Sequence, residues 1–235
     1  MTAIAQPAAT TEAHTESTTA LVKKHVTAVV SRLQGGYLSR PRSTSESVRA
    51  LALLRRSLGA AGSTDPRMWA LVLADMPERL VGPTSRSITE PTAAEKAVLA
   101  ALTTYAVHQQ AQQMPMHVVG VGLGEATRRL AAGGGDDPGG LDDAVVQRMH
   151  RVAMAQNDNL RQQSLRALIT LMRSATPPVP LDYGRLAADL YLLQDLRYAP
   201  QVHLVWGRQL HTRPSSTANP EAHQSPDQHT PGESQ

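Results

Sequence analysis

DNLRQQSLRALITLMRS, residues 158–174, carries two stripes at helical spacing. Leu165, Leu168, Ile169 and Met172 recur every three or four positions and form an inward face, while Gln162, Arg166, Thr170 and Arg173 form a polar one. That spacing belongs to an amphipathic helix. No stretch of the chain sustains the two-residue alternation that a half-buried strand requires. The fold class expected from this pattern is all-α.

The same pattern extends in both directions. Downstream, helices are expected over about Asp182–Leu196 and Pro200–His211. Upstream, one runs over about Asp142–Ala155, with Val145, Met149 and Val152 inward and Arg148 and Arg151 flanking them. AGGGDDPGG, Ala132–Gly140, reads as a flexible loop. GVGLGEATRRLA reads as a tight turn followed by a helix from about Gly122. Thr92-x-x-Glu95 has the spacing of a capping box and opens a helix to about Gln110. Asp65-Pro66 supplies an N-cap and a first-turn proline for a helix bearing Met68, Trp69, Val72 and Leu73, which stops before Pro77.

Nearer the N-terminus, Ser43-Thr44-Ser45-Glu46 opens a helix that runs to Gly59, with Val48, Leu51, Leu54 and Leu58 on its buried side. The first helix, about Leu21 to Leu33, is expected to end at Gly35-Gly36. About nine helices in one or two small bundles result. The expected organisation is a tail over 1–20, an N-terminal helical part over 21–131, a loop over 132–140, a C-terminal bundle over 141–213 and a tail over 214–235. Both tails are polar and lack apolar periodicity, so they are expected to be disordered.

Composition narrows the chemistry. The chain has 235 residues, no cysteine and no phenylalanine, so its core is aliphatic and thiolate chemistry is excluded. No run is apolar enough to span a membrane, and the N-terminus lacks the basic and apolar regions of a secretory signal. A cytoplasmic protein is expected. All 23 basic residues lie between 21 and 213, against 15 acidic ones, giving that body a net charge of +8. Such a body suits a polyanion partner.

Catalytic constellations are missing. GVGLGEAT fits neither a phosphate-loop nor a dinucleotide fingerprint, and a tight turn is the simpler reading. Asp136-Asp137 and Asp142-Asp143 fit no calcium loop and read as solvated acids. No histidine pair has zincin spacing, and His108 and His150 read as helix-surface residues. Asp182, Asp189 and Asp195 share a helix without converging on one point. No cofactor or metal is expected. What recurs is arginine beside the apolar faces: Arg49, Arg55 and Arg56, then Arg148 and Arg151, then Arg166 and Arg173. With few aromatic platforms available, binding to backbone phosphates without base readout is expected.

Three segments, in order, resemble the CasB family, the small subunit of the type I-E CRISPR effector Cascade. They are Leu54-Arg55-Arg56, then Leu123-Gly124-Glu125-Ala126 onward to Leu130, and last Arg148 spaced to Arg166-Ala167-Leu168 and followed by DYGRLAADLYLLQ and VHLVWGRQL. The resemblance covers roughly Leu21 to His211. It implies two small helical bundles without catalytic activity, two copies per complex, and contacts with the other Cascade subunits. Guide RNA, the target DNA strand and the displaced non-target strand are the implied partners, and no membrane is involved. Carried over by position, Arg56, Arg148 and Arg166 match basic positions of the family, while Arg55, Arg197 and Lys96 align more loosely. Glu125 stands where the family has a basic residue, so Arg128 or Arg129 is expected to substitute. Two other readings remain open: an independent DNA-binding regulator using the polar start Asp158–Gln163 as a recognition helix, and a helical adaptor that binds only protein.

Overall fold

The computed structural model describes residues 16–57, 65–85, 90–133 and 140–212. Among them are nine α-helices and one 3-10 turn, with a single isolated bridge between His117 and Leu181 in place of a sheet. The expected all-α class is the observed one. The helices are α1 (Thr18–Leu38), α2 (Ser45–Arg56), α3 (Pro66–Leu73), α4 (Ala93–His108), α5 (Leu123–Ala131), α6 (Asp143–Ala153), α7 (Asp158–Ser174), α8 (Tyr183–Leu192) and α9 (Ala199–His211).

Short polar side chains start most of these helices, because the first N–H groups of a helix have no partner within it. Asp65 accepts from Arg67 N, Asp142 from Ala144 N, Asn157 from Leu160 N and Asp182 from Arg185 N. Thr92 and Glu95 form the reciprocal box expected of them, at 3.1 Å and 2.7 Å. At α2 the capping residue is Thr44, which accepts from Ser47 N, one position later than the expected box. Ser43 instead donates its hydroxyl to Tyr37 O.

α4 is the pillar of the fold. It is buried on nearly every side from Ala94 to His108, and α1, α2, α3, α7 and α8 all pack on it. Its small residues, Ala97, Ala100 and Ala101, allow that crowding, and Thr103 and Thr104 satisfy their buried hydroxyls by donating to the carbonyls of Leu99 and Ala100. A second set, α5, α6, α7 and α9, packs beside it, with α7 touching both α4 and α6. α8 crosses back to lie against α1 and α4, and one continuous apolar core runs through both sets.

Five expectations change. α1 starts at Thr18, capped by Ser17, so Thr18–Ala20 are helix and not tail. It also continues through Gly35-Gly36 to Leu38, because α2 approaches so closely that a Cβ at Gly36 would strike the side chains of Ser47 and Thr44. The propensity cost of glycine there is about 1 kcal/mol, and tertiary packing offsets it. Val48 is exposed; α2 turns Ser47, Ala50, Leu51 and Leu54 inward, with the small Ser47 beneath Gly36. His108 is completely buried, because the α4 face it occupies is covered by α8. α8 ends at Leu192 and not Leu196, which leaves Leu196 in an exposed turn. Leu58, most of the 132–140 loop, residues 1–15 and residues 213–235 lie outside the described residues.

Gly124 explains a motif. A Cβ there would collide with the backbone carbonyl of Trp206, so glycine is what lets α5 and α9 cross in contact. Gly184 does the same for α8 against Thr27 and the Lys23 carbonyl of α1.

Candidate nucleic-acid interface

The eight basic residues singled out in the sequence fall on different parts of this framework. Arg128 and Arg129 end α5, Arg148 lies mid-way along α6 and Arg166 mid-way along α7; these helices belong to one packed set. Arg55 and Arg56 end α2, in the other set. Lys96 stands in the first turn of α4, and Arg197 follows α8. Those last two share one end of the molecule, where Gln194 donates to Ala93 O at 2.8 Å.

Their commitments differ more than their positions. Arg56 and Arg166 are exposed and make no ion pair with a described residue. Arg55 is half-buried and likewise unpaired among the described residues. Among the described residues Arg148 donates only to Ala144 O, one turn back on its own helix. Arg129 is paired with Glu125 across one turn of α5, and Lys96 with Glu90 at 3.5 Å. Arg197 grips Asp195 with two nitrogens and lies over the Tyr198 ring, 5.6 Å from its centroid. Arg197's hydrogen bonds hold the Asp195 carboxyl at about 2, well below the carboxylate range. A guanidinium so engaged has less to offer a phosphate than Arg56 or Arg166.

Arg161 has another job. It is buried, and donates to Asp158 Oδ1 and to Ala155 O, both at 2.8 Å, so it fastens the α6–α7 turn. The polar start of α7 therefore cannot offer its arginine to base edges, which weakens a recognition-helix reading. Arg173 is similarly occupied, donating to Val107 O and Gln110 Oε1 at the end of α4.

Sequence reasoning passed over the polar groups that hold the framework rigid. The connection between α4 and α5 is fastened by two side-chain amides: the buried Gln109, whose Oε1 accepts from Met116 N, and the half-buried Gln34, which bonds both backbone groups of His117. His117 Nδ1 accepts from Tyr183 N, and His108 Nδ1 meets the Tyr183 hydroxyl at 2.8 Å. Burial pushes His108 down to about 3 and His117 also downward, so both imidazoles are neutral near pH 7. The three aspartates do not converge. Asp182 caps α8, Asp189 accepts from Trp206 Nε1 at 2.7 Å, and Asp195 holds Arg197. Among the described residues no group of acids and histidines is arranged to hold a metal, and no helix is long and apolar enough to cross a membrane.

Comparison with known proteins bears on the family and the fold. The family model described as CRISPR-associated protein Cse2 matches residues 50–211. The crystal structure of CasB from Thermobifida fusca is similar to this chain, with 34% sequence identity and a TM-score of 0.61. That likeness covers 81% of this chain and 98% of the Thermobifida fusca chain. No curated protein matches.

Proposed function

The chain belongs to the CRISPR-associated Cse2 family of type I-E Cascade subunits, and on that premise we propose that it is a non-catalytic strand-holding component of the effector. Its exposed arginines grip the backbones of guide RNA, target DNA and above all the displaced non-target strand, and so stabilise the R-loop. A second copy and the other Cascade subunits continue the basic track.

The observation that carries this reading is the state of Arg56 and Arg166. Both are exposed on helices, and neither forms an ion pair with a carboxylate among the described residues, Asp65 acting on Arg56 only through space while it is itself bonded to Arg67. An uncommitted guanidinium on a fixed helix can meet phosphate without first breaking an ion pair. R-loop exchange is nearly balanced, because the heteroduplex formed is about as stable as the duplex lost. A few backbone contacts are enough to tip it, and they need no base readout. Arg148 stands on α6, which packs against the helix that carries Arg166, and among the described residues its guanidinium is held only by its own helix.

The test replaces Arg56, Arg148 and Arg166 together by Ala in the assembled effector. Affinity for the displaced single strand is then followed against salt. Each lost phosphate contact lowers the slope by about 0.7, so a fall of about two is expected with the fold intact. An unchanged slope would transfer the role to other residues and favour a protein-only adaptor. Preference for one duplex sequence over random DNA would favour the regulator.

A further inference from the structure

Between the end of α5 and the segment that follows α7 lies a cavity of about 530 Å³. That is within the range of small-ligand sites, roughly 300–1,000 Å³. One wall is Arg128 and Leu130, and the facing wall is Ala175, Pro177, Pro178 and Pro180. At the rim, Gly133 and Thr176 are exposed. We propose that this cavity receives one unstacked base of the bound single strand, with Arg128 on the adjoining phosphate. The inference rests on the strand-holding reading above and adds a pocket to it.

The wall chemistry is selective for that shape. Proline has no backbone N–H, so Pro177, Pro178 and Pro180 offer a base flat C–H surfaces and no donors. The one N–H among them, that of Val179, is already donated to Met172 O at 3.0 Å. The wall's polar capacity is therefore limited to carbonyl acceptors and the Thr176 hydroxyl, with no free N–H from Pro177 to Pro180 to read a base acceptor. Contact with the flat face of any base remains favourable, as on other sequence-tolerant platforms.

Arg128 supplies the other half of the site. It makes no ion pair with a described residue, in contrast to Arg129, which Glu125 neutralises. Its Nε is buried in the wall with no acceptor among the described residues, which leaves the terminal nitrogens of the guanidinium to meet a phosphate. Few ligands combine a flat, largely apolar body with an adjoining negative charge, and a nucleotide unit is one that the bound strand carries in every repeat.

The cavity is also rigid. Val179 is buried and pinned to Met172 O, while Leu181 N donates to Met116 O, so both ends of the proline segment are fixed to the core. Little ordering cost then falls on binding.

The test compares two single-stranded probes on the full chain: a thymidine oligonucleotide, and the same sugar-phosphate backbone without bases. The intact probe is expected to bind about fivefold to tenfold more tightly. Ala175→Trp fills the cavity and should erase that difference while leaving the baseless probe unaffected. Ala175 follows α7 in extended backbone, a conformation that tryptophan can adopt; an unchanged urea midpoint for the variant shows that the core beside it is intact. A 2-aminopurine in the strand gives a readout on the unmodified protein, its emission rising as it leaves the base stack. Equal, salt-sensitive binding of both probes would overturn the pocket and leave phosphate holding intact. Salt-insensitive binding, or none, would overturn both. Release of a partner protein by Ala175→Trp, with strand binding unchanged, would make the cavity a protein site and overturn the proposal.

Discussion

Asp182 and Arg166 are both charged residues on neighbouring parts of the C-terminal half, yet the molecule uses them in opposite ways. Asp182 is almost fully buried at the start of α8 and accepts from Gly120 N at 2.9 Å and from Arg185 N at 3.0 Å. Around it, Gln34, Gln109, His108, His117 and Tyr183 join α1, α4, α8 and the 109–121 connection into a polar seam. Arg166 stands exposed on α7 with no ion pair among the described residues. The difference follows from solvent. A buried polar group without a partner costs about 1–3 kcal/mol, so the seam pairs most of its groups within the chain, His108 Nε2 and His117 Nε2 being left without a partner among the described residues. An exposed guanidinium is already satisfied by water and remains available to a partner.

The largest effect should come from breaking the seam. Asp182→Ala strands two backbone N–H groups and is expected to cost about 2–4 kcal/mol, measured by urea denaturation. A loss below about 1 kcal/mol would mean the seam carries little of the fold's stability. Next comes the crossing of α5 and α9. Gly124→Ala drives a methyl into the Trp206 carbonyl, with an expected cost of about 1–3 kcal/mol by the same assay.

Acid should act on the seam as well. His108 titrates at about 3 in the folded chain against 6.5 unfolded, so the unfolded chain binds more protons between those values. Stability from His108 is therefore full above 6.5 and is lost as the pH falls towards 3. His117 acts in the same direction. Asp189 opposes them. Burial raises it to about 6 from 3.8, so its contribution is full below 3.8 and is lost as the pH rises through 6. Asp189→Asn keeps an acceptor for Trp206 and should stabilise the protein at pH 8 while steepening its acid loss. Urea midpoints at pH 8 and pH 4.5 would show this, and parallel shifts at both would refute it. His108→Gln should flatten the same acid limb.

The smallest effect on stability is expected at the arginine face. Arg56→Ala or Arg166→Ala should change unfolding free energy by no more than about 0.5 kcal/mol. The same substitutions remove the strand contacts proposed for them. A variant that lost binding and stability together would collapse the distinction between seam and face.

Much of this was legible in the residues themselves. The two stripes of residues 158–174 marked the extent of α7, and Thr92 with Glu95 announced α4. These signals act within one or two turns of chain. The burial of His108 gave no such signal, because α4 is apolar or small on all sides and has no polar face to contrast with it. Gly35-Gly36 looked like a stop until α2 was seen to need the space. At the candidate interface, sequence could find arginines beside apolar stripes but could not rank them. Arg173 looked as available as Arg166, and the carbonyl that occupies it, Val107 O, lies 66 positions away.

The amino-acid sequence by itself determined the all-α class, the capping box of α4, the inner face of α7, the basic charge of the body and the family motifs. Each depends on local spacing or on residue identity, which folding does not change. Tertiary structure alone decided that α8 returns to α1 and α4, that Gly124 is a helix crossing, and that Arg161 and Arg173 serve the framework while Arg56 and Arg166 stay uncommitted. The physical reason is distance along the chain. A cap finds its N–H two or three residues away, whereas a buried amide or guanidinium finds its partner only after packing has brought remote segments together and removed the water between them.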